Sequence, residues 1–184
     1  MNAMLMRLAG RAGRIGLALL LATATLVGCD QSTPDTEQEK GAIASQRQWE
    51  EEKPRHENSY RYTVRFSSAF GFNSTTVVTV TDGNVTGRDF ESFTFNGTGT
   101  KTVTQRWSET ADDLMSHPEG AEAVTLDVIY GRCREQWLTV NTTKNQTHFE
   151  KEHNGIISLC GYRRKGCQDD CFQGVTVSAF EWLR

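Results

Sequence analysis

From Tyr60 to Phe66 large apolar side chains occupy every second position. Tyr60, Tyr62, Val64 and Phe66 alternate with Arg61, Thr63 and Arg65. A strand places such a set on one face, because successive strand side chains point to opposite sides. The segment must also find partners for its backbone edges, so it commits the chain to a sheet. Thr75 to Thr81 is β-branched throughout, and Asp82-Gly83 then turns the chain into Val85 and Thr86, a strong hairpin signal. Phe90, Phe93 and Phe95 followed by Asn96-Gly97 predict a short strand and turn, and Thr100 to Trp107 a further strand. Val124, Leu126 and Val128 fall on one face of a strand from Ala123 to Tyr130, and Gln136 to Val140 reads as another. The chain closes with Gly174 to Trp182, where Val175, Val177 and Ala179 alternate with Thr176 and Ser178.

Helical signals interrupt these strands at two places. Ile43 to Asn58 reads as one helix ended by Pro54 and Asn58, with Ile43 and Trp49 as its docking residues. Thr110-Ala111-Asp112-Asp113 predicts a second, short helix with Thr110 as N-cap, which must stop before Pro118. Runs of strands broken by two short helices imply α+β with an antiparallel sheet. An all-β sandwich or barrel is the alternative, given the abundance of threonine.

The first 28 residues carry a different signal. Arg7, Arg11 and Arg14 precede the apolar run Ile15 to Val27, the layout of a secretory signal peptide. Leu26-Val27-Gly28-Cys29 follows, and it resembles the bacterial lipobox: an aliphatic residue, a tolerant position, a small residue and a cysteine. The resemblance implies that Cys29 receives a diacylglyceryl thioether, that cleavage falls after Gly28 and that the new amine is acylated. Acyl chains anchor stably because each buried CH₂ contributes about 0.8 kcal/mol. Asp30 resembles the inner-membrane retention signal of enterobacterial lipoproteins. The expected organisation is therefore a signal peptide at 1–28, a lipidated tether at 29–42 and one globular domain at 43–184. The expected location is the cell membrane, on its periplasmic or extracytoplasmic face.

Charge narrows the partners. Setting aside the three arginines of the first 28 residues leaves 17 basic against 23 acidic side chains, a net charge of −6. A dedicated DNA or RNA binder needs a basic face to displace counterions, so nucleic acid is excluded as a partner. At 184 residues the chain suffices for one domain of ordinary size.

The order of elements carries a second resemblance. Tyr60-Arg61-Tyr62-Thr63-Val64, then Val78 to Val85 through Asp82-Gly83, then a short helix, a strand ending Ile129-Tyr130-Gly131, and Val175 to Phe180 is similar to a bacterial secreted and lipoprotein domain family of unknown function. The resemblance spans residues 58–182, with 142–173 as an insertion. It implies a cell-envelope context and no activity. Ser67 and Ser68 stand where members carry cysteines, and Gly131 where they carry an aspartate.

Apart from Cys29, four cysteines remain: Cys133, Cys160, Cys167 and Cys171. An even number in an oxidising compartment implies two disulfides, with three possible connectivities. Zinc is the rival, but only Cys167-x₃-Cys171 has ligand spacing. The expected pairing is Cys160–Cys171, stapling a loop at 161–173, with Cys133–Cys167. That pairing would gather Arg132, Arg134, Arg163, Arg164 and Lys165 at one end as a binding loop for anionic headgroups, cell-wall polymer or an acidic partner. Solvated loop charge beside Asp169 and Asp170 is the simpler account of the same residues.

Other candidates carry less. His148, Glu150 and Glu152 would share one face of a strand, as metal ligands might be arranged, but Asn154-Gly155 makes this a hairpin arm on which exposed charge is ordinary. His117 before Pro118 reads as a helix-end residue. The Asn-x-Ser/Thr triplets at Asn73, Asn84, Asn96, Asn141 and Asn145 are chance in a chain with a lipobox. None of the short catalytic motifs H-E-x-x-H, G-x-S-x-G or the P-loop occurs, and no cofactor or metal is expected. Three functions follow: a non-enzymatic envelope binding or structural lipoprotein, an inhibitor or immunity-type lipoprotein acting on a hydrolase, and a hydrolase.

Overall fold

The computed structural model describes residues 36–184. The signal peptide, Cys29, Asp30 and the first part of the expected tether lie outside the described residues. Helix α1 (Glu37–Glu52) and a 3-10 turn (Lys53–His56) lead into strands β1 (Tyr60–Ser67), β2 (Asn73–Thr81), β3 (Asn84–Phe95) and β4 (Lys101–Thr110). Helix α2 (Leu126–Arg132) continues as a π-turn (Cys133–Trp137), and β5 (Asn145–Lys151), β6 (Ile157–Arg164) and β7 (Phe172–Trp182) complete the chain. The strands form one sheet in the order β4-β3-β2-β1-β7-β6-β5, antiparallel at every pairing. This is an α+β domain with an antiparallel sheet and two short helices.

Helix α1 begins six residues earlier than 43, inside the expected tether. Thr36 and Glu39 explain why. The Thr36 hydroxyl accepts from the Glu39 amide at 3.1 Å, and the Glu39 carboxylate accepts from the Thr36 amide at 2.8 Å. This reciprocal box satisfies two of the donors that a helix start leaves free. The helix buries Ala42, Ser45 and Trp49 in one stripe and packs beside β5 and β6. Trp49 lies edge-on to Tyr60, with ring centres 4.8 Å apart, and stacked on Trp182 at 5.4 Å. Its indole N–H donates to Asp127 at 3.2 Å.

Two strands expected from alternation are not strands. Residues 126–132 are helical, and the π-turn and a bend occupy 133–140. Val124, Leu126 and Val128 do alternate, but Leu126, Ile129, Tyr130 and Cys133 also fit a helical stripe. The core takes the second set, leaving Val128 exposed. The helix expected from Thr110 is likewise absent: β4 runs to Thr110, and a turn follows. Asp113 accepts from both the Thr110 amide and its hydroxyl, so Thr110 donates to a turn and does not cap a helix. The hairpin signals hold. Asp82 and Gly83 both have positive φ (51° and 79°), as a tight two-residue turn requires.

The disulfides form, but with a different pairing from the expected Cys160–Cys171 and Cys133–Cys167. Cys133 bonds Cys160 and Cys167 bonds Cys171. Cys160 sits inside β6, buried and facing the π-turn that carries buried Cys133. Cys167 and Cys171 lie at the β6–β7 turn, which spans only residues 165–171 because both strands extend into the expected 161–173 loop. The first bond ties a helix end to the sheet, and the second closes a hairpin tip. Thiol counting on the denatured, unreduced domain is expected to find none of these four cysteines free. Removing Cys133 and Cys160 together should cost about 3.5 kcal/mol, against about 2 for the Cys167/Cys171 pair, because the longer closed segment restricts the unfolded chain more. Urea midpoints of the two double alanine variants check the order.

Candidate functional site

Two tyrosines of β1 set the site's frame. The Tyr60 hydroxyl accepts from the Leu126 amide at 3.0 Å, and the Tyr62 hydroxyl donates to the Val124 carbonyl at 2.5 Å. Thr125, the N-cap of α2, makes no side-chain cap, so Tyr60 supplies an acceptor that the helix start lacks. Burial raises both phenol pKa values well above the ordinary range. At the other end of α2 the Tyr130 hydroxyl donates to Ser45, whose own hydroxyl donates to the Gly155 carbonyl at 2.6 Å. The Ile157 amide donates to the same Tyr130 oxygen at 2.9 Å. Helix α2 is thereby fastened to β1, to α1 and to the β5–β6 turn.

Between β4 and α2 the chain crosses the sheet face as an irregular segment, and a buried ion pair holds it there. Arg88 of β3 meets Glu109 of β4 through two parallel bonds of 2.8 Å, with both side chains fully buried. The guanidinium also donates to the carbonyls of His117 and Ala121, each at 2.7 Å. Glu109 accepts from the amides of Met115 and His117 at 2.8 and 2.7 Å. Hydrogen bonds from Arg88, and then from these amides, hold the Glu109 carboxyl far below the usual carboxylate range against the opposing effect of burial. His117 stacks on Trp107 with ring centres 4.5 Å apart, and Arg88 lies over the same indole. Gly120 lies so close to the sheet that a Cβ there would sit 2.8 Å from the Thr76 hydroxyl.

A cleft of about 920 Å³ opens beside this segment. The β1–β7 ladder runs from Tyr60↔Trp182 to Val64↔Val177 and stops, while the N-terminal half of β7 pairs with β6 instead. The two strands part beyond Val64. They are rejoined at the far end, where Asp170 accepts from the Ser68 hydroxyl at 2.7 Å and the Ala69 amide at 2.9 Å. Those bonds also lower the Asp170 pKa. Val64, Phe66 and Phe72 line one side of the cleft and Leu159, Phe172 and Val175 the other. Residues 119–122 and Trp137 also line it, with polar side chains that include Arg65, Ser74, Gln105 and Asp170. It contains no histidine and no cysteine among the described residues.

The five cations of the expected binding loop do not form one cluster through Cys133–Cys167. Arg132 and Arg163 both line the cleft, with Arg132 bonded to Glu122 at 2.6 Å. Arg134 instead donates to Gln46 on α1, and Lys165 to the Thr142 carbonyl. Arg164 ends β6 opposite Asn145. His148 and Glu150 lie on edge strand β5, and among the described residues no three His, Cys, Asp or Glu side chains gather as a metal site would need. The aromatic lining residues Phe66, Phe72, Phe172 and Trp137 escape a reading by motifs. Their common signal is position around the point where the ladder stops.

No protein-family model, curated protein or solved structure matches this chain.

The buried pair makes a thermodynamic prediction. Arg88→Met leaves the Glu109 carboxylate buried without its cation, and should lower the melting temperature by about 10 °C. Arg88→Met combined with Glu109→Leu should recover part of that loss. Since folding lowers the Glu109 pKa from its ordinary 4.5, this contribution is present above that pH and drains away as pH falls below it. Melting curves of the single and double variants at pH 7 and pH 3 test both statements.

Proposed function

We propose that this chain is a membrane-anchored envelope lipoprotein whose domain is a non-catalytic binding module, with the cleft between β1 and β7 as its ligand site. The observation that carries the reading is the cleft itself. At about 920 Å³ it lies at the upper end of the range for small-molecule sites. Its walls combine apolar and aromatic side chains with charged and polar ones, among them Arg65, Arg132, Arg163, Glu119 and Gln105, which can orient a ligand. An apolar or amphiphilic molecule suits such a lining. Of the three carboxylates in the lining, Glu122 is bonded to Arg132 and Asp170 to the β1–β2 hairpin, which leaves Glu119 as the third.

The anchor belongs to the same reading. The run Ile15 to Val27 and the lipobox at Leu26 to Cys29 support export and acylation at Cys29. Cys29→Ser is expected to abolish metabolic labelling with tritiated palmitate and to block cleavage after Gly28. Normal labelling in that variant would refute the anchor.

The ligand site has its own test. Thr176 lines the cleft, is half-buried, and its side chain makes no hydrogen bond among the described residues. Thr176→Trp should fill the opening without breaking a contact. Titration with anilinonaphthalene sulfonate, an amphiphilic dye, is expected to show one saturable blue-shifted site in the native chain and none in Thr176→Trp, at unchanged melting temperature. Equal dye binding by both chains would overturn the assignment.

A further inference from the structure

The end of the domain where the cleft opens also carries the most exposed aromatic surface among the described residues. Phe70, at the tip of the β1–β2 hairpin, is 88% exposed, and Phe66 and Phe72 beside it are 52% and 43% exposed. Phe66 and Phe72 lie with ring centres 6.1 Å apart, so the hairpin presents a patch and not scattered residues. Single exposed apolar side chains are ordinary, whereas three phenylalanines on one hairpin mark an interaction surface.

The hairpin is held against the cystine-closed turn by the Asp170 bonds to Ser68 and Ala69. That turn and its flanks bring Arg163, Arg164 and Lys165, and Arg65 lies on the hairpin arm. Four cations stand on these two segments, Lys165 donating to the Thr142 carbonyl, against Asp169, Asp170 and Glu119 of the cleft wall, in a chain whose net charge is −3. The local sign is therefore opposite to that of the whole. Of these acids, Asp170 spends its carboxylate on the hairpin. Arg65 and Arg163 form no ion pair among the described residues.

Exposed phenylalanine beside a basic turn is the chemistry of a bilayer interface, where rings enter the headgroup boundary and cations meet anionic lipid. An acidic protein would also meet these cations, but the anchor proposed at Cys29, on which this choice rests, already places the domain beside a bilayer. We infer that the hairpin tip and the adjoining basic turn form a docking surface for an anionic bilayer, holding the cleft mouth against the lipid. The inference stands on the patch, its charge and the proposed anchor, and does not require the cleft to be occupied.

The test uses the processed chain, residues 29–184, carrying Cys29→Ser, so that neither acyl chains nor the apolar run Ile15 to Val27 contributes. Cosedimentation is measured with vesicles of phosphatidylglycerol and phosphatidylethanolamine, and with vesicles of phosphatidylcholine alone. Binding is expected to the anionic vesicles, falling at least tenfold in affinity at 0.5 M salt and on neutral vesicles. Phe70→Ser, outside the cleft lining, should weaken it at least tenfold, as should Arg164→Glu with Lys165→Glu. These are exposed positions, so an unchanged melting temperature keeps the comparison interpretable. No binding to anionic vesicles, or binding that the phenylalanine variant retains, would overturn the inference. Neither result touches the dye site of the cleft, so failure here is distinct from failure of the binding-module reading.

Discussion

The central strand β1 is shared between two halves of the sheet, and the length over which each half claims it shapes the rest of the domain. On one side it pairs with β2 along its whole length, from Tyr60↔Val80 to Ser67↔Asn73. On the other it pairs with β7 only as far as Val64↔Val177. β7 is longer than this contact, and its N-terminal half is taken by β6. The sheet is therefore continuous in order but divided at one end. The undivided end holds the tightest packing, with Trp49, Tyr60 and Trp182 in mutual contact. The divided end holds the cleft. Core and opening thus lie at opposite ends of the same strand.

The wall beside the cleft depends on charge more than on apolar packing. Residues 111–124 form no helix or strand, and Leu114 and Val124 are only partly buried. A segment of this kind would be loose without specific bonds. Arg88 and Glu109 supply them, since each side chain reaches main-chain groups of the segment as well as its partner. A buried ion pair is not by itself a source of stability, because desolvation offsets the attraction. Here it satisfies backbone groups that would otherwise be buried unpaired, and so fixes a path for the chain. Gly120 completes that path by allowing the backbone to lie on Thr76 and Phe90.

How much of this is legible in the sequence depends on the range of the signal. Local chemistry reads well. The alternation at Tyr60 to Phe66, the Asp82-Gly83 turn and the Asn154-Gly155 arm all correspond to strands or turns in the structure. Thr36 and Glu39 show the three-residue spacing of a capping box, so the early start of α1 has a readable cause. The segment 123–133 satisfies strand and helix periods together, and only the core distinguishes them. Arg88 and Glu109 lie 21 residues apart on neighbouring strands, and nothing local marks either as buried. The disulfides illustrate the same boundary. Cysteine number and compartment imply two bonds, but pairing depends on which cysteines face inward, and that follows from the register of β6 against β7. Arg132 and Arg163 are readable as candidates, while the cleft that they line is defined only by the sheet.

The division of the sheet has a cost that bears on its purpose. Beyond Val64 the β7-facing edge of β1 has no ladder partner, and these backbone groups adjoin an apolar opening. Extending the ladder by a few residues would pair them and close the cleft. β7 pairs with β6 along its other edge, and the far end of the gap is tied by Asp170 through side-chain bonds. The cystine between Cys167 and Cys171 stiffens the turn that offers Asp170. A cystine-closed turn and the Asp170 bonds thus join two strands across a stretch where no backbone ladder does. Departures from local consistency of this kind concentrate where a protein works. The parted strands, more than any single residue, direct attention to this end of the domain.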